Sequence, residues 1–483
     1  MSQSIDLASG HPSPALIPIQ NIQKAAKNAL SNPAIWQQGI NYGPDAGYMP
    51  LRQNLSRWLA SFYASDRGGK IEKPDVERIC VTGGASQNLA SILQVYTDPV
   101  QTKRIFVVEP AYFLSFRVFE DAGFGGRLKG IPEDKEGINL GVLEDALKQE
   151  VNIPLHEGKS PKLHAFKQQK PYRKLYTHVI YCVPTFSNPS GRIMSLPRRQ
   201  ELVRLARKYD ALLIADDVYD FVYWKSDASV SANVSLPHSP LSSSLSVSSS
   251  SSSSPSYYSS SISGSPAEFA SLMPRLVDID ATLDGGPIDN FGNCISNGSF
   301  SKIVGPGCRV GWAEGTPAFI YGLSQVGSTR SGGAPSQLVS TFISDMLQNG
   351  SITEHIHNTL APAYARRFSK LTSAIKQYLA PIGVTLPSLT TADESDDLSN
   401  GGFFIWLQLP SPLRGKEVAA AASLHGLILG EGTSSALPDG NDRYAEYEDM
   451  LRLCFACVDE YLLTEAMIIL RRVVLECLAS HAE

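Results

Sequence analysis

Five clusters along this chain combine residue types that can act on a small ligand. In order they are Gly83-Gly84-Ala85-Ser86-Gln87; Glu109-Pro110-Ala111-Tyr112; PTFSNPSG from Pro184 to Gly191; Asp216-Asp217-Val218-Tyr219; and Ser299-Phe300-Ser301-Lys302, followed by Gly305-Pro306-Gly307-Cys308-Arg309. Together they offer an amine, carboxylates, hydroxyls, an amide and a guanidinium. An amine can act as nucleophile or base. Backbone N–H groups at a helix start, hydroxyls and an arginine suit an anion. Each cluster alone is a weak signal, whereas the five in this order are a strong one.

Each cluster follows a short apolar run. Ile79–Thr82, Ile105–Val108, Val179–Val183, Ala211–Ala215 and the segment around Cys294–Phe300 read as strands. Between them lie helical stretches, one from Ala85 to about Tyr96 and one near Phe113–Asp121. A further helix has Ser195 as N-cap, Pro197 in its first turn, and a stripe of Leu202, Leu205, Ala206 and Tyr209 spaced for 3.6 residues per turn. Unbroken apolar strands separated by helices predict a parallel sheet covered on both faces. In such sheets ligands bind beyond the carboxyl ends of the strands, where all five clusters fall. The C-terminal part differs. Phe403–Leu407 and Leu451–Phe455 read as strands of a smaller α+β unit, and a last helix carries Leu463, Met467, Leu470, Val474 and Cys477 on one face. Strand alternation puts Arg452 on the face opposite Leu451 and Leu453.

The chain has 483 residues, 43% apolar and 18% charged, with net charge −5. That length can bury a large core without disulfides or metals, and the charge excludes a strongly basic nucleic-acid binder. Seven scattered cysteines point to a reducing compartment. No apolar run is long enough to span a membrane, and the N-terminus lacks the features of a signal or transit peptide, so the expected location is cytoplasmic. One segment stands apart. Ser239 to Ser265 holds 18 Ser in 27 residues, too little apolar area to offset the entropy of ordering. Roughly 226–290 therefore reads as a long insertion with a disordered middle; a linker between independent domains is the rival reading.

The chain resembles the class I/II, fold type I, pyridoxal-phosphate-dependent aminotransferases, and within them the aminoadipate/kynurenine branch. The resemblance rests on LASGHPSP, YGPDAGYMPLR, PTFSNPSG, ADDVY and SFSKIVGPGCRVGW, and runs from Leu7 to about Phe455. It implies an α/β large domain with a mainly parallel, seven-stranded-type sheet between helices, plus a smaller α+β domain. The implied layout is an N-terminal arm with part of the small domain over 1–40, a large cofactor-binding domain over 41–330 that contains the insertion, and a C-terminal small domain over 331–483.

The resemblance also implies roles. Lys302 would condense with the aldehyde of pyridoxal 5′-phosphate and later move the proton between Cα and C4′. Asp216 would pair with the pyridinium nitrogen; it is preferred to Asp217 because Tyr219 stands three residues on, as in the family. Asn188 and Tyr219 would donate to the phenolate oxygen, and Tyr112 would stack on the ring. Gly84, Ala85, Ser86, Gln87, Ser299, Ser301 and Arg309 would hold the phosphate, although Ala85 stands where the family often has a hydroxyl. Ser190 replaces the usual Thr. Arg452 would bind the substrate carboxylate, with Asn188 and the backbone of Gly10 beside the substrate. Tyr42 would reach the phosphate of a neighbouring subunit, which implies a homodimer with shared active sites. The partners are then an amino acid and a 2-oxo acid, with no nucleic acid and no membrane.

Other signals are set aside. Gly305-x-Gly307 fails the dinucleotide spacing. Cys454 and Cys457 form a lone CxxC and read as core cysteines. His355-x-His357 lacks a partner at metal spacing and reads as helix surface. The same cofactor chemistry also serves a β-eliminating C–S lyase, with 2-aminoadipate or aromatic and large aliphatic amino acids as candidate substrates of the transaminase. A non-catalytic regulator on this fold is the third reading; such regulators carry an N-terminal DNA-binding domain, and with LASGHP starting at residue 7 none is expected here. Residues 1–23 contain no Lys or Arg, which disfavours a distal carboxylate on the substrate.

Overall fold

The computed structural model describes residues 4–63, 75–152, 166–225, 270–387, 399–437 and 442–482. Its centre is an eight-stranded sheet. Across the sheet the strands run Ile79–Thr82, Gly311–Glu314, Cys294–Ser299, Ala211–Asp216, His178–Cys182, Arg104–Glu109, Leu128–Asp134 and the two-residue edge Gly137–Ile138. Gly311–Glu314 is antiparallel to both its neighbours, and Gly137–Ile138 is antiparallel to Leu128–Asp134. The other pairings are parallel. Six strands therefore point one way and end on one edge of the sheet.

The alternation of side chains explains why the central strands are apolar throughout. Val179, Tyr181, Leu212 and Ile214 enter the core on one face, and Ile180, Cys182, Leu213 and Ala215 the core on the other. Helices Ala85–Tyr96 and Leu196–Lys208 form as the sequence predicts. Ser195 caps the second by accepting from Arg198 N at 3.4 Å, and Leu202 and Ala206 are buried against the sheet. The helix expected near Phe113–Asp121 is shorter, Leu114–Phe119, and passes into a wider turn with Gly123 at φ 92°.

Two features were not read from the sequence. Leu128–Asp134 is interrupted by Lys129, Gly130 and Pro132 and so shows no apolar run. Gly311–Glu314 is only four residues long and follows the glycine-rich turn directly.

Ala211–Asp216 and Cys294–Ser299 are adjacent parallel strands, so the chain between them is an insertion within one domain and the linker reading falls. The serine-rich middle lies outside the described residues. Residues 270–290, assigned by composition to that insertion, include the helix Leu276–Thr282, whose Leu276, Val277 and Ile279 are buried in the same core as Ile180 and Leu213.

In the C-terminal part, Phe404–Gln408 pairs antiparallel with Met450–Cys454, which also pairs with Gly430–Glu431. The N-terminal segment joins this unit: Ile5–Asp6 runs parallel to Leu427–Ile428, and Cys454 N donates to Leu7 O at 2.7 Å. The last helix, Leu462–Ala482, buries Leu463, Met467, Leu470, Val474 and Cys477. His355 is buried rather than on the helix surface, because its Nε2 lies 3.0 Å from Leu16 O, which pins the N-terminal segment to the helix. Among the described residues no helix is long and apolar enough to cross a membrane.

Candidate active site

The carboxyl ends of the strands, the N-terminal segment and the C-terminal unit enclose a cavity of about 760 Å³. Twelve of the residues singled out above line it: Ala85, Ser86, Tyr112, Asn188, Asp216, Tyr219, Ser299, Ser301, Lys302, Arg309, Gly10 and Arg452. They are drawn from five strand ends, the N-terminal segment and the strand Met450–Cys454.

Lys302 sits in the short turn after Cys294–Ser299, where the Ser299 hydroxyl accepts from Ser301 N at 3.1 Å. Its Nζ donates to Gly10 O at 2.7 Å and lies between the rings of Phe403 (5.1 Å) and Tyr219 (5.6 Å). Burial pushes the amine down to about 8, opposed by Cys454 and Asp216 and reinforced by Arg452. An amine so placed gives up its proton far more readily than an ordinary lysine.

Asp216 ends the strand Ala211–Asp216. Its Oδ2 accepts from Tyr181 Oη at 2.7 Å, while Oδ1 is buried with no hydrogen-bond partner. Burial pushes the carboxyl up to about 6, against the hydrogen bond from Tyr181 and the charge of Lys302. Asp217 is outside the cavity lining and accepts from Ser296 Oγ. Strand alternation separates the two carboxylates, with Asp216 following Leu212 and Ile214 on their face of the sheet.

Arg452 is buried like its neighbours Leu451 and Leu453, but lines the cavity where they do not. Its Nη2 donates to Ala8 O at 2.7 Å and its Nη1 to Asn188 Oδ1 at 3.2 Å. The guanidinium carbon lies 4.6 Å from the Phe404 ring centre and 5.5 Å from that of Phe113. Tyr112 is hydrogen-bonded to Ser86, and burial raises its phenol. Burial raises the Tyr219 phenol as well.

At the start of helix Ala85–Tyr96, Gly84 has φ 96°, and a Cβ there would come within 2.7 Å of Arg309 Nη2. Glycine is therefore required for the arginine to approach. Arg309 donates to Gly83 O and, at 3.1 Å, to Pro306 O.

Three expected residues do not line the cavity. Gln87 turns its side chain back, accepting from Gly83 N at 2.9 Å and donating to Ser91 Oγ at 3.0 Å. Gly84 contributes the turn rather than the wall. Tyr42 is 88% exposed and borders a separate surface recess with Gln37, Tyr48 and Gln337.

Sequence reasoning missed Tyr181, whose position within an apolar strand hides its hydroxyl. It also missed the apolar wall of Leu89, Phe113, Leu114, Val118, Phe404 and Leu429. Cys454 is buried as a core cysteine should be, but it also lies close enough to influence Lys302 and Arg452. Cys457 Sγ donates to the carbonyls of Asp6 and Ser9 at 3.3 and 3.4 Å.

The chain belongs to the aminotransferase class I and II family, whose family model matches residues 2–254. It is an aminotransferase of fold type I. It is 30% identical over 470 residues to the Saccharomyces cerevisiae protein YER152C, covering 95% of this chain and 94% of that one. It is 25% identical over 469 residues to aromatic-amino-acid aminotransferase 1 of Thermococcus litoralis, covering 96% and 87%. Among solved structures, the α-aminoadipate aminotransferase of Thermus thermophilus, complexed with N-(5′-phosphopyridoxyl)-L-leucine, superposes with a TM-score of 0.68. That likeness covers 99% of this chain and 93% of the other at 21% identity.

Proposed function

We propose that this chain holds pyridoxal 5′-phosphate in the cavity and transfers the amino group of an aromatic or large aliphatic amino acid to a 2-oxo acid. The observation that carries the reading is one cavity lined by the lowered amine of Lys302, the unpartnered Oδ1 of Asp216 and the buried guanidinium of Arg452. The residues present fit the cofactor. Asp216 Oδ1 is a buried acceptor lacking a donor, as a ring N–H would supply. Gly84 leaves room for Arg309 beside Ser86, Ser299 and Ser301, a donor set suited to a dianion. When bound, the group supplies an electron sink for the substrate Cα.

The chain's own residues do the rest. Asp216 would keep the ring nitrogen protonated through Oδ1, while Tyr181 fixes the carboxylate through Oδ2. Tyr219 and the Asn188 amide would donate to the phenolate oxygen, Tyr112 would stack on the ring, and Ala85 would contribute a backbone N–H group. Lys302 would hold the cofactor through its aldehyde and would be the base at the substrate Cα. Arg452 grips the substrate carboxylate beside Gly10. Exposed Tyr42 reaches the phosphate site of a second copy in a homodimer.

The cavity wall combines Leu89, Phe113, Leu114, Val118, Phe404 and Leu429 with Glu431, Ser434 and Ser435, and among the described residues its basic side chains are Lys302, Arg309, Arg452 and His11. That supports an uncharged donor side chain. His11 and the likeness to the α-aminoadipate aminotransferase support 2-aminoadipate as a second reading. The seven cysteines, free in the fold, suit a cytoplasmic protein.

A donor panel tests the reading. Protein reconstituted with pyridoxal phosphate should lose its visible band fastest with aromatic or large aliphatic amino acids, and regain it with a 2-oxo acid. Fastest loss with 2-aminoadipate selects the second reading. Release of pyruvate and ammonia from a cysteine conjugate, without an acceptor, would mark a lyase. A protein with no visible band, unaltered by Lys302→Ala, refutes the proposal.

A further inference from the structure

The turn that carries Asn188 is held from a strand with no contact to the cavity. Glu133, near the end of Leu128–Asp134, has a side chain only 7% exposed. Its Oε1 lies 3.1 Å from Arg192 Nε, and the Ser190 hydroxyl is hydrogen-bonded to it. Ser190 and Arg192 form the second half of the turn, which closes on itself through Gly191 N to Ser187 O at 2.6 Å and Ser187 N to Arg192 O at 2.9 Å. In the first half of the same turn, two residues before Ser190, stands Asn188, whose Oδ1 accepts from Arg452. That bond commits the amide oxygen and leaves the amide NH₂ as the group offered to the cavity. Buried Arg199 fastens the start of the same turn, at Pro184 O and Thr185 Oγ1, and takes no part in the Glu133 grip.

We infer that Glu133 is a positioning residue for transamination: by gripping Ser190 and Arg192 it fixes Asn188, and through Asn188 the guanidinium of Arg452. The inference rests on the reading of Asn188 and Arg452 as ligands of cofactor and substrate. The groups facing Glu133 are Ser190, Arg192 and the adjacent Asp134, itself paired with Arg198 at 3.1 Å. Burial pushes the Glu133 carboxyl up to about 7, against Ser190 and Arg192. The grip on Arg192 is charged above that value and neutral below it, so carboxylate binding weakens as pH falls through about 7.

The test uses the holoenzyme and the variants E133Q and E133D. In E133Q at pH 8, KM for the amino acid should rise about tenfold while kcat changes less than about threefold, as expected for a slightly misplaced ligand. The rise in wild-type KM below about pH 7 should be absent from E133Q, and the pH at which the visible band of the bound cofactor titrates should move. E133D keeps the charge one methylene short and should fall between wild type and E133Q; should E133Q not fold, an intermediate KM in E133D supports the role and a wild-type KM refutes it. Unchanged KM, pH profile and band titration in E133Q, with only a lowered melting temperature, would make Glu133 structural and overturn the inference. A wild-type protein without a visible band would instead overturn the reading of the cavity itself.

Discussion

Arg452 and Asn188 are 264 residues apart in sequence, and Arg452 Nη1 donates to Asn188 Oδ1 across 3.2 Å. The contact joins the C-terminal unit to the turn after the strand His178–Cys182, inside the cavity that both residues line. It gives both side chains a fixed orientation before any ligand arrives, and such preorganisation reduces the cost of binding.

Arg452 is the first residue to change. Its guanidinium is buried and already oriented by Ala8 and Asn188, so on the proposed reading its removal deletes the charged group that would hold the substrate carboxylate. Arg452→Ala should lower kcat/KM by roughly 30- to 1000-fold, corresponding to about 2–4 kcal/mol for a desolvated charge pair. Steady-state kinetics check this, and a change below about threefold would place the carboxylate elsewhere.

Lys302 titrates at about 8 because burial disfavours its charge. Only the uncharged amine can attack an aldehyde. The rate at which apoprotein captures pyridoxal phosphate should therefore climb as pH rises through about 8 and level off above it. Stopped-flow absorbance reads this directly. Lys302→Ala should abolish the band and the turnover together.

Asp216 gives a signed prediction for stability. Its folded-state value, about 6, lies above the usual carboxylate value because burial disfavours the charge. Between those values the folded state binds more protons than the unfolded, so stability falls as pH rises and the penalty is complete above about 6. Asp216→Asn removes the buried charge. The apoprotein variant should melt a few degrees above wild type at pH 8, with the gap closing as pH falls from 6 towards 4. The same variant should bind pyridoxal phosphate more weakly. A lower apoprotein melting temperature at pH 8 would refute the account.

The segment between Lys225 and Ala270 should be dispensable. Tyr223 Oη donates to Ala270 O, so the two ends of the segment lie close together, and a short loop closes such a gap at little entropic cost. Replacing residues 228–267 by a Gly-Ser linker should leave kcat/KM within about twofold and the melting temperature almost unchanged. A large loss of activity would mean that the serine-rich stretch contributes to the site.

The sequence by itself determined which chemical groups stand at which strand ends, because side-chain alternation along a strand and helix periodicity are local properties that the order of residues records. It thus marked Lys302, Asp216 and Arg452, and it separated Leu451 and Leu453 from Arg452. Only the tertiary structure decided the strand order, the strands Leu128–Asp134 and Gly311–Glu314, the turning of Gln87 away from the cavity, and the burial of His355. It alone brought Tyr181 to Asp216, Asn188 to Arg452 and Glu133 to Arg192. Those contacts join segments distant in the chain; they are fixed by how sheet, helices and N-terminal segment pack together, and no local pattern of residues encodes that packing.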